Sequence, residues 1–215
     1  MLIVMKRLLS IFILLFAAVQ FTDAQNFPSQ VWHDGSIYLT TGDVHKGKVK
    51  YDLEKNIVQL QSDGVHTYNS SSISRFEIFD EYYGGMRSFY SLPYDVNNNN
   101  YEVPIFFELL TEGDDITLLC REYITTDTRN MGMYNMYMSP MYGPPMSTTN
   151  KLAFDYFFLT EGKIVEYSQK RKDLLGYMED REDEVKLYMR KNRLDCDRRG
   201  DLLRITAYYN KLKDE

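Results

Sequence analysis

The chain has 215 residues, with 25 Lys and Arg against 31 Asp and Glu for a net charge of −6, and 14% of it is aromatic, carried mainly by 18 Tyr and 12 Phe. That length supports one sizeable domain whose core needs no disulfide staples, and the acidic balance opposes a polyanionic partner such as nucleic acid. The aromatic load suits pleated, half-buried surfaces and tilts the expectation towards β structure.

In chain order, Lys6 and Arg7 precede an apolar run from Leu8 to Val19 and a polar stretch ending at Ala24. This is the pattern of a secretory signal peptide, and the small side chains of Thr22 and Ala24 predict cleavage before Gln25. A bilayer-spanning helix takes about 20 apolar residues, more than this run holds, so no stable transmembrane anchor is expected after cleavage. No cysteine follows the cut, so no lipid anchor is expected there either. The mature chain is therefore expected in an exported, oxidising location, periplasmic or extracellular.

Ten short segments then read as strands: 36–40, 47–51, 56–61, 65–68, 73–79, 87–92, 103–110, 116–124, 151–159 and 163–167. Gly35, Asn56 and the pair Asp63, Gly64 read as turns between them. Three stretches share one wording, Leu39 to Gly42, Leu110 to Gly113 and Leu159 to Gly162, in which an apolar run ends on threonine and then glycine. Glycine supplies the positive φ that tight hairpins need, so each predicts a strand connection. Frequent turns between short strands predict an antiparallel β-sandwich or barrel-like body over residues 25–168.

Two segments break the pattern. Asn97 to Asn100 reads as a solvated loop tip. Residues 125–150 contain Gly132, Pro140, Gly143, Pro144 and Pro145 and predict a long irregular, mobile loop.

After Ser168 the period changes. Leu202, Ile205, Tyr209 and Leu212 mark one helical face, and residues 169–178 and 182–194 read as further helices, so an α+β chain with two or three C-terminal helices is predicted. Helices this short need a surface to pack on. Residues 25–168 carry 10 basic against 19 acidic groups, a net of −9, whereas residues 169–215 carry 13 against 11, a net of +2. The tail can thus be drawn to the body.

Trp32, Gly35, Ile37 and Leu39, then Gly42, Gly47, Val49, Tyr51 and Asp52, then Phe76 with Asp80, and then Phe106 and Phe107 resemble the skeleton of uncharacterised bacterial secreted proteins. Those proteins open with such a two-strand unit and end in helices. The resemblance implies architecture and export, and no activity comes with it.

Candidate chemistry is sparse. Met131, Met133, Met136, Met138, Met141 and Met146 fall within sixteen residues, and their polarisable thioethers could wrap a soft cation such as Cu(I). Methionine and tyrosine at this density also make adaptable contact surfaces, the reading favoured here. His33, His45 and His66 match no short zinc motif and read as turn and surface residues. Asp114 and Asp115 lack the alternating oxygen ligands of a calcium loop and read as a hairpin tip. Cys120 reads as a buried small hydrophobe and Cys196 as exposed, with a disulfide between them permitted by compartment but not compelled.

No nucleophile elbow or phosphate-cradling glycine loop occurs. Glu102, Glu108 and Glu122 lie on strands and could pair as hydrolase carboxylates, but edge-strand solvation is the simpler reading. The cluster Arg190, Lys191, Arg193, Arg198 and Arg199 reads as charge at a helix end, with contact to the acidic body as an alternative. The expectation is an exported, non-catalytic interaction or structural module of the cell envelope without a cofactor, its partner an envelope protein or glycan. Copper handling through the methionines and an unrecognised envelope hydrolase are the alternatives.

Overall fold

A computed structural model describes residues 26–128 and 148–214. The expected leader, residues 1–24, and the methionines from Met131 to Met146 lie outside the described residues. The chain is α+β: ten strands form one antiparallel sheet, followed by three helices.

The strands are β1 (His33–Leu39), β2 (Val44–Asp52), β3 (Ile57–Gln61), β4 (Val65–Asn69), β5 (Ile73–Asp80), β6 (Gly85–Tyr94), β7 (Val103–Thr111), β8 (Thr117–Thr128), β9 (Thr148–Thr160) and β10 (Lys163–Tyr167). Their spatial order is β10-β9-β8-β7-β6-β5-β1-β2-β3-β4. β1 thus lies between β2 and β5, and every other neighbour is a sequence neighbour. β4 and β10 form separate ends, so the sheet is not closed into a barrel. The helices are α1 (Arg171–Tyr177), α2 (Glu182–Asn192) and α3 (Arg199–Asp214).

All ten sequence-read strands are present, but some details differ. Gly35 is not a turn; it sits inside β1, opposite Gly47 of β2. A Cβ at Gly35 would overlap the Glu77 carbonyl oxygen, and one at Gly47 would crowd the Gln61 carbonyl oxygen. The neighbouring backbone comes so close here that only glycine leaves room. Gly35→Ala is expected to lose about 1–3 kcal/mol through overpacking, seen as a lower urea midpoint at unchanged m-value.

Glu161 and Gly162, both at positive φ, form the two-residue turn between the paired residues Thr160 and Lys163. Gly113 is conserved in wording with that turn but has a different cause, since an added Cβ there would strike the Asn210 side chain of α3. Asn210 Nδ2 donates to the carbonyls of Ile116 at 2.9 Å and Glu112 at 3.3 Å, pinning the helix to the β7–β8 connection. The ends of the expected irregular loop are strand instead, because the β8–β9 ladder continues to Thr128 opposite Thr148.

The β7–β8 ladder, in contrast, includes a register shift, and its pairing reaches only Glu108 opposite Cys120. Beyond that point the two strands part, and the β2–β3 turn enters the opening. The Phe106 amide donates to Asn56 Oδ1 at 3.2 Å, while Arg121 donates to Asn56 Oδ1, to the Phe106 carbonyl at 2.6 Å and to the Leu53 carbonyl. The sheet therefore curls until its early strands meet its middle ones.

This curl creates two cores on one face. Ile37, Tyr51, Leu60, Phe76, Phe89 and Phe106 pack inside the curled half. Leu118, Cys120, Tyr156, Phe158 and Tyr167 pack under the helices, where Leu174, Val185, Leu202, Ile205 and Tyr209 cover them. The α3 residues are the predicted helical stripe, except that Leu212 is only half-buried. A third apolar cluster, with Phe107, Leu119 and Phe157, lies on the opposite face. The helical segment is thus the lid of the second core and has no core of its own.

Candidate functional site

The most unusual chemistry lies at the seam between the first two cores. A cross-strand row on the inner face runs Phe76, Phe89, Glu108, Cys120, Tyr156, Tyr167, so a carboxylate stands between an aromatic and a thiol. Arg87 is two residues from Phe89 on β6, Asp80 two from Ile78 on β5, and Glu122 two from Cys120 on β8. Strand alternation turns all of them inward.

Arg87, with its side chain 3% exposed, uses every donor of its guanidinium. Nε donates to Glu108 Oε1, one Nη1 proton to Asp80 Oδ2 and the other to the Tyr51 hydroxyl, and the Nη2 protons to Glu108 Oε2 and Glu122 Oε2, all at 2.8–2.9 Å. The guanidinium fork has five N–H donors, and all five are engaged. The Tyr51 hydroxyl in turn donates to Glu122 Oε1, and Arg199 of α3 donates to Glu108 Oε1. Asp80 Oδ1 accepts from the Tyr82 amide at 2.9 Å. The rings of Tyr83 and Phe89 lie 4.7 and 4.9 Å from the Arg87 guanidinium carbon.

Burial opposes the charge on Arg87, but hydrogen bonds to Glu108 and the negative groups around it outweigh that cost and raise its pKa further. Burial is also the leading cause that pushes the Tyr51 hydroxyl, the Tyr83 hydroxyl and the Cys120 thiol upward, so each stays protonated. Two guanidiniums against three carboxylates leave the cluster at a formal charge of −1.

These positions correct the solvated-edge reading for two of the three glutamates. Glu108 and Glu122 are buried on interior strands, whereas Glu102 is exposed. The legible signal was phase: each buried charge shares strand parity with core residues. His33 is also buried, not a surface residue, because its Nε2 donates to the Pro28 carbonyl at 2.7 Å. His45 and His66 are exposed, and the three histidines form no metal-holding group among the described residues.

Cys120 and Cys196 are both free thiols; Cys196 is half-buried, with its Sγ 3.7 Å from the Gln169 carbonyl. Asp115 is exposed and reached by Lys213 at 3.3 Å, and Asp114 is exposed beside it. Within the basic cluster, Arg199 makes the contact to the acidic body. Arg198 instead pairs with Asp195 at 3.1 Å in the open connection.

Around this seam open three clefts. One of about 380 Å³ is bordered by Tyr51, Glu122, Lys50 and the β2–β3 turn. Another of about 310 Å³ is bordered by Phe27, Tyr82, Tyr83, Leu152, Phe154 and Arg199. A third of about 210 Å³ is bordered by Trp32, His33, Asp34, Lys48, Phe79 and Tyr82. The surface here is aromatic: Trp32 is 37% exposed, Phe79 47%, Tyr82 72% and Met86 62%. Phe79 and Met86 are direct cross-strand partners, and Trp32, Phe79 and Tyr82 border the same cleft.

No family model matches the chain, no curated protein matches it, and no solved structure matches it.

Proposed function

We propose that this protein is an exported, non-catalytic interaction module of the cell envelope, working through the aromatic surface around Tyr82. The observation that carries the reading is the grouping in solvent of Phe79 and Met86, paired across β5 and β6, with Tyr82 of the turn that joins them and Trp32 just before β1. Exposed apolar groups gathered in one place mark contact surfaces, and aromatic residues with methionine are enriched where proteins meet partners.

The ion cluster beneath supports a structural role for the only carboxylates that converge in the described interior. Each accepts from Arg87, so none has the free geometry of a general acid or base. The charge bias of the body disfavours nucleic acid and leaves an envelope protein or glycan as the partner.

The test has two arms. Mass spectrometry of the protein from fractionated cells should find a mature chain beginning at Gln25 outside the cytoplasm. Immobilised wild-type protein should retain an envelope component that Phe79→Ser/Tyr82→Ser/Met86→Ser does not. Full-length chain in the cytosol, or equal retention by the triple variant, would remove this function.

A further inference from the structure

We infer that the outer face of the α2–α3 hairpin docks peripherally on an anionic lipid bilayer, a contact separate from the aromatic surface around Tyr82. The two helices run antiparallel. At their open end Asp180 accepts from the Tyr209 hydroxyl at 2.9 Å and from Lys213 at 2.8 Å, midway the Tyr188 and Tyr208 rings stack at 3.9 Å, and at the connection the Asp195 amide donates to Asp201 at 3.1 Å. Val185 and Met189 of α2, and Leu202, Ile205 and Tyr209 of α3, face the core. The 3.6-residue period therefore turns Leu187, Arg190 and Lys191 of α2 and Arg204 of α3 away from it. Lys191 lies one turn after Tyr188 and Arg204 one turn before Tyr208, so the stacked rings bring the two cations to the same level.

Positive charge is in excess at this end of the hairpin. Arg190, Lys191, Arg193 and Arg204 are exposed and enter no ion pair among the described residues. Between Arg190 and Arg204 six basic residues stand against three acidic ones, Asp195, Asp197 and Asp201. Of the six, Arg198 is taken by Asp195 and Arg199 by Glu108. The acidic start of α2 lies at the other end, where Asp183 is exposed, Glu184 pairs with Arg181 at 3.4 Å and Glu182 pairs with Lys186 at 2.8 Å.

Leu187 favours lipid over an acidic protein. It is 59% exposed, one turn from Arg190 and Lys191, with the half-buried Tyr188 beside it. An apolar side chain ringed by long basic stems and tyrosine suits the headgroup boundary, where cations meet phosphates and the apolar group meets acyl chains. These residues border none of the three clefts, so the face offers a ridge to a flat partner. An anionic bilayer repels the body, at a net of −9, and attracts the hairpin, which fixes the orientation of approach. No helix among the described residues is long and apolar enough to cross a membrane, and a surface contact needs none.

Co-sedimentation of the mature protein with vesicles tests this contact. The protein should pellet with phosphatidylcholine vesicles that contain phosphatidylglycerol and stay in solution with phosphatidylcholine alone. Raising salt from about 0.1 M to 1 M, which shortens the Debye length from about 10 to 3 Å, should release it. Arg190→Gln/Lys191→Gln/Arg204→Gln, which keeps helix propensity and should stay folded by circular dichroism, should lower partitioning at least about tenfold. Leu187→Ser should weaken binding with the salt response kept, whereas Phe79→Ser/Tyr82→Ser/Met86→Ser should bind vesicles like the wild type. No pelleting with anionic vesicles, equal pelleting with phosphatidylcholine alone, or full retention by the triple glutamine variant would overturn the inference. So would a dimer that the glutamine variant abolishes without any vesicle binding, which would assign the patch to the acidic body of a second copy. Vesicle binding lost in the serine variant would move the lipid contact to Tyr82 and overturn it equally. Vesicle binding without a captured envelope component would support the inference while the interaction reading falls.

Discussion

Arg87→Met is expected to lower folding stability by at least about 3–5 kcal/mol, because it removes the cation that three buried carboxylates share. Domains of this kind are stable by about 5–15 kcal/mol, so the variant should be partly unfolded at ambient temperature or shift its urea midpoint sharply. Methionine preserves much of the side-chain length, which separates the charge effect from a simple cavity. Arg87→Lys should rescue little: an ammonium offers three donors as a point charge, whereas the cluster engages five in a planar fork. Adding Glu122→Gln to Arg87→Met should recover part of the loss, since one fewer charge is then stranded. A midpoint for Arg87→Met within error of wild type would show that the cluster does not hold the seam.

Alkaline unfolding is the second large effect. Burial, reinforced by the hydrogen bond to Asp180, raises Tyr209 from 10.0 to about 12, and burial likewise drives Tyr51, Tyr83, Tyr156 and Tyr167 upward. The neutral phenol is therefore favoured by the folded state. Stability from these groups is fully present below pH 10, where folded and unfolded chains are both protonated. Above it the unfolded chain releases protons that the folded chain retains, so stability declines through pH 12 and beyond. Tyrosinate absorbance should rise in a late, cooperative step that coincides with loss of the β-sheet signal. Complete ionisation along one curve centred near pH 10, with the sheet intact, would refute the burial of these rings.

Much of the architecture was legible locally. Short apolar runs between turn residues located the strands, as β10 at Lys163–Tyr167 after Gly162 illustrates, and the stripe Leu202, Ile205, Tyr209 located the last helix. Gly35 was misread as a turn because a glycine is demanded equally by positive φ and by close backbone approach. Glu108 and Glu122 were misread as solvated because a charged side chain on an isolated strand has no visible partner. Arg87 lies 21 residues from the first and 35 from the second; the pairing of β6 with β7 makes Glu108 its diagonal neighbour, and the same sheet carries Glu122 of β8 to within 2.8 Å of the guanidinium.

The exposed site divides in the same way. Trp32, Phe79 and Tyr82 are individually ordinary in the sequence, since single surface aromatics are common. Their convergence depends on β1 lying beside β5, a pairing that skips over three intervening strands.

By itself, the order of residues determined the leader pattern, the strand and helix periods, the acidic body and its basic tail, because these are properties of neighbours along the chain. The tertiary structure alone decided that the sheet curls without closing, that five donors of Arg87 are consumed at its seam, and that Trp32, Phe79 and Tyr82 come to border one cleft beside it. Hydrogen-bond saturation and surface convergence depend on pairs distant in sequence, and folding is what sets those distances.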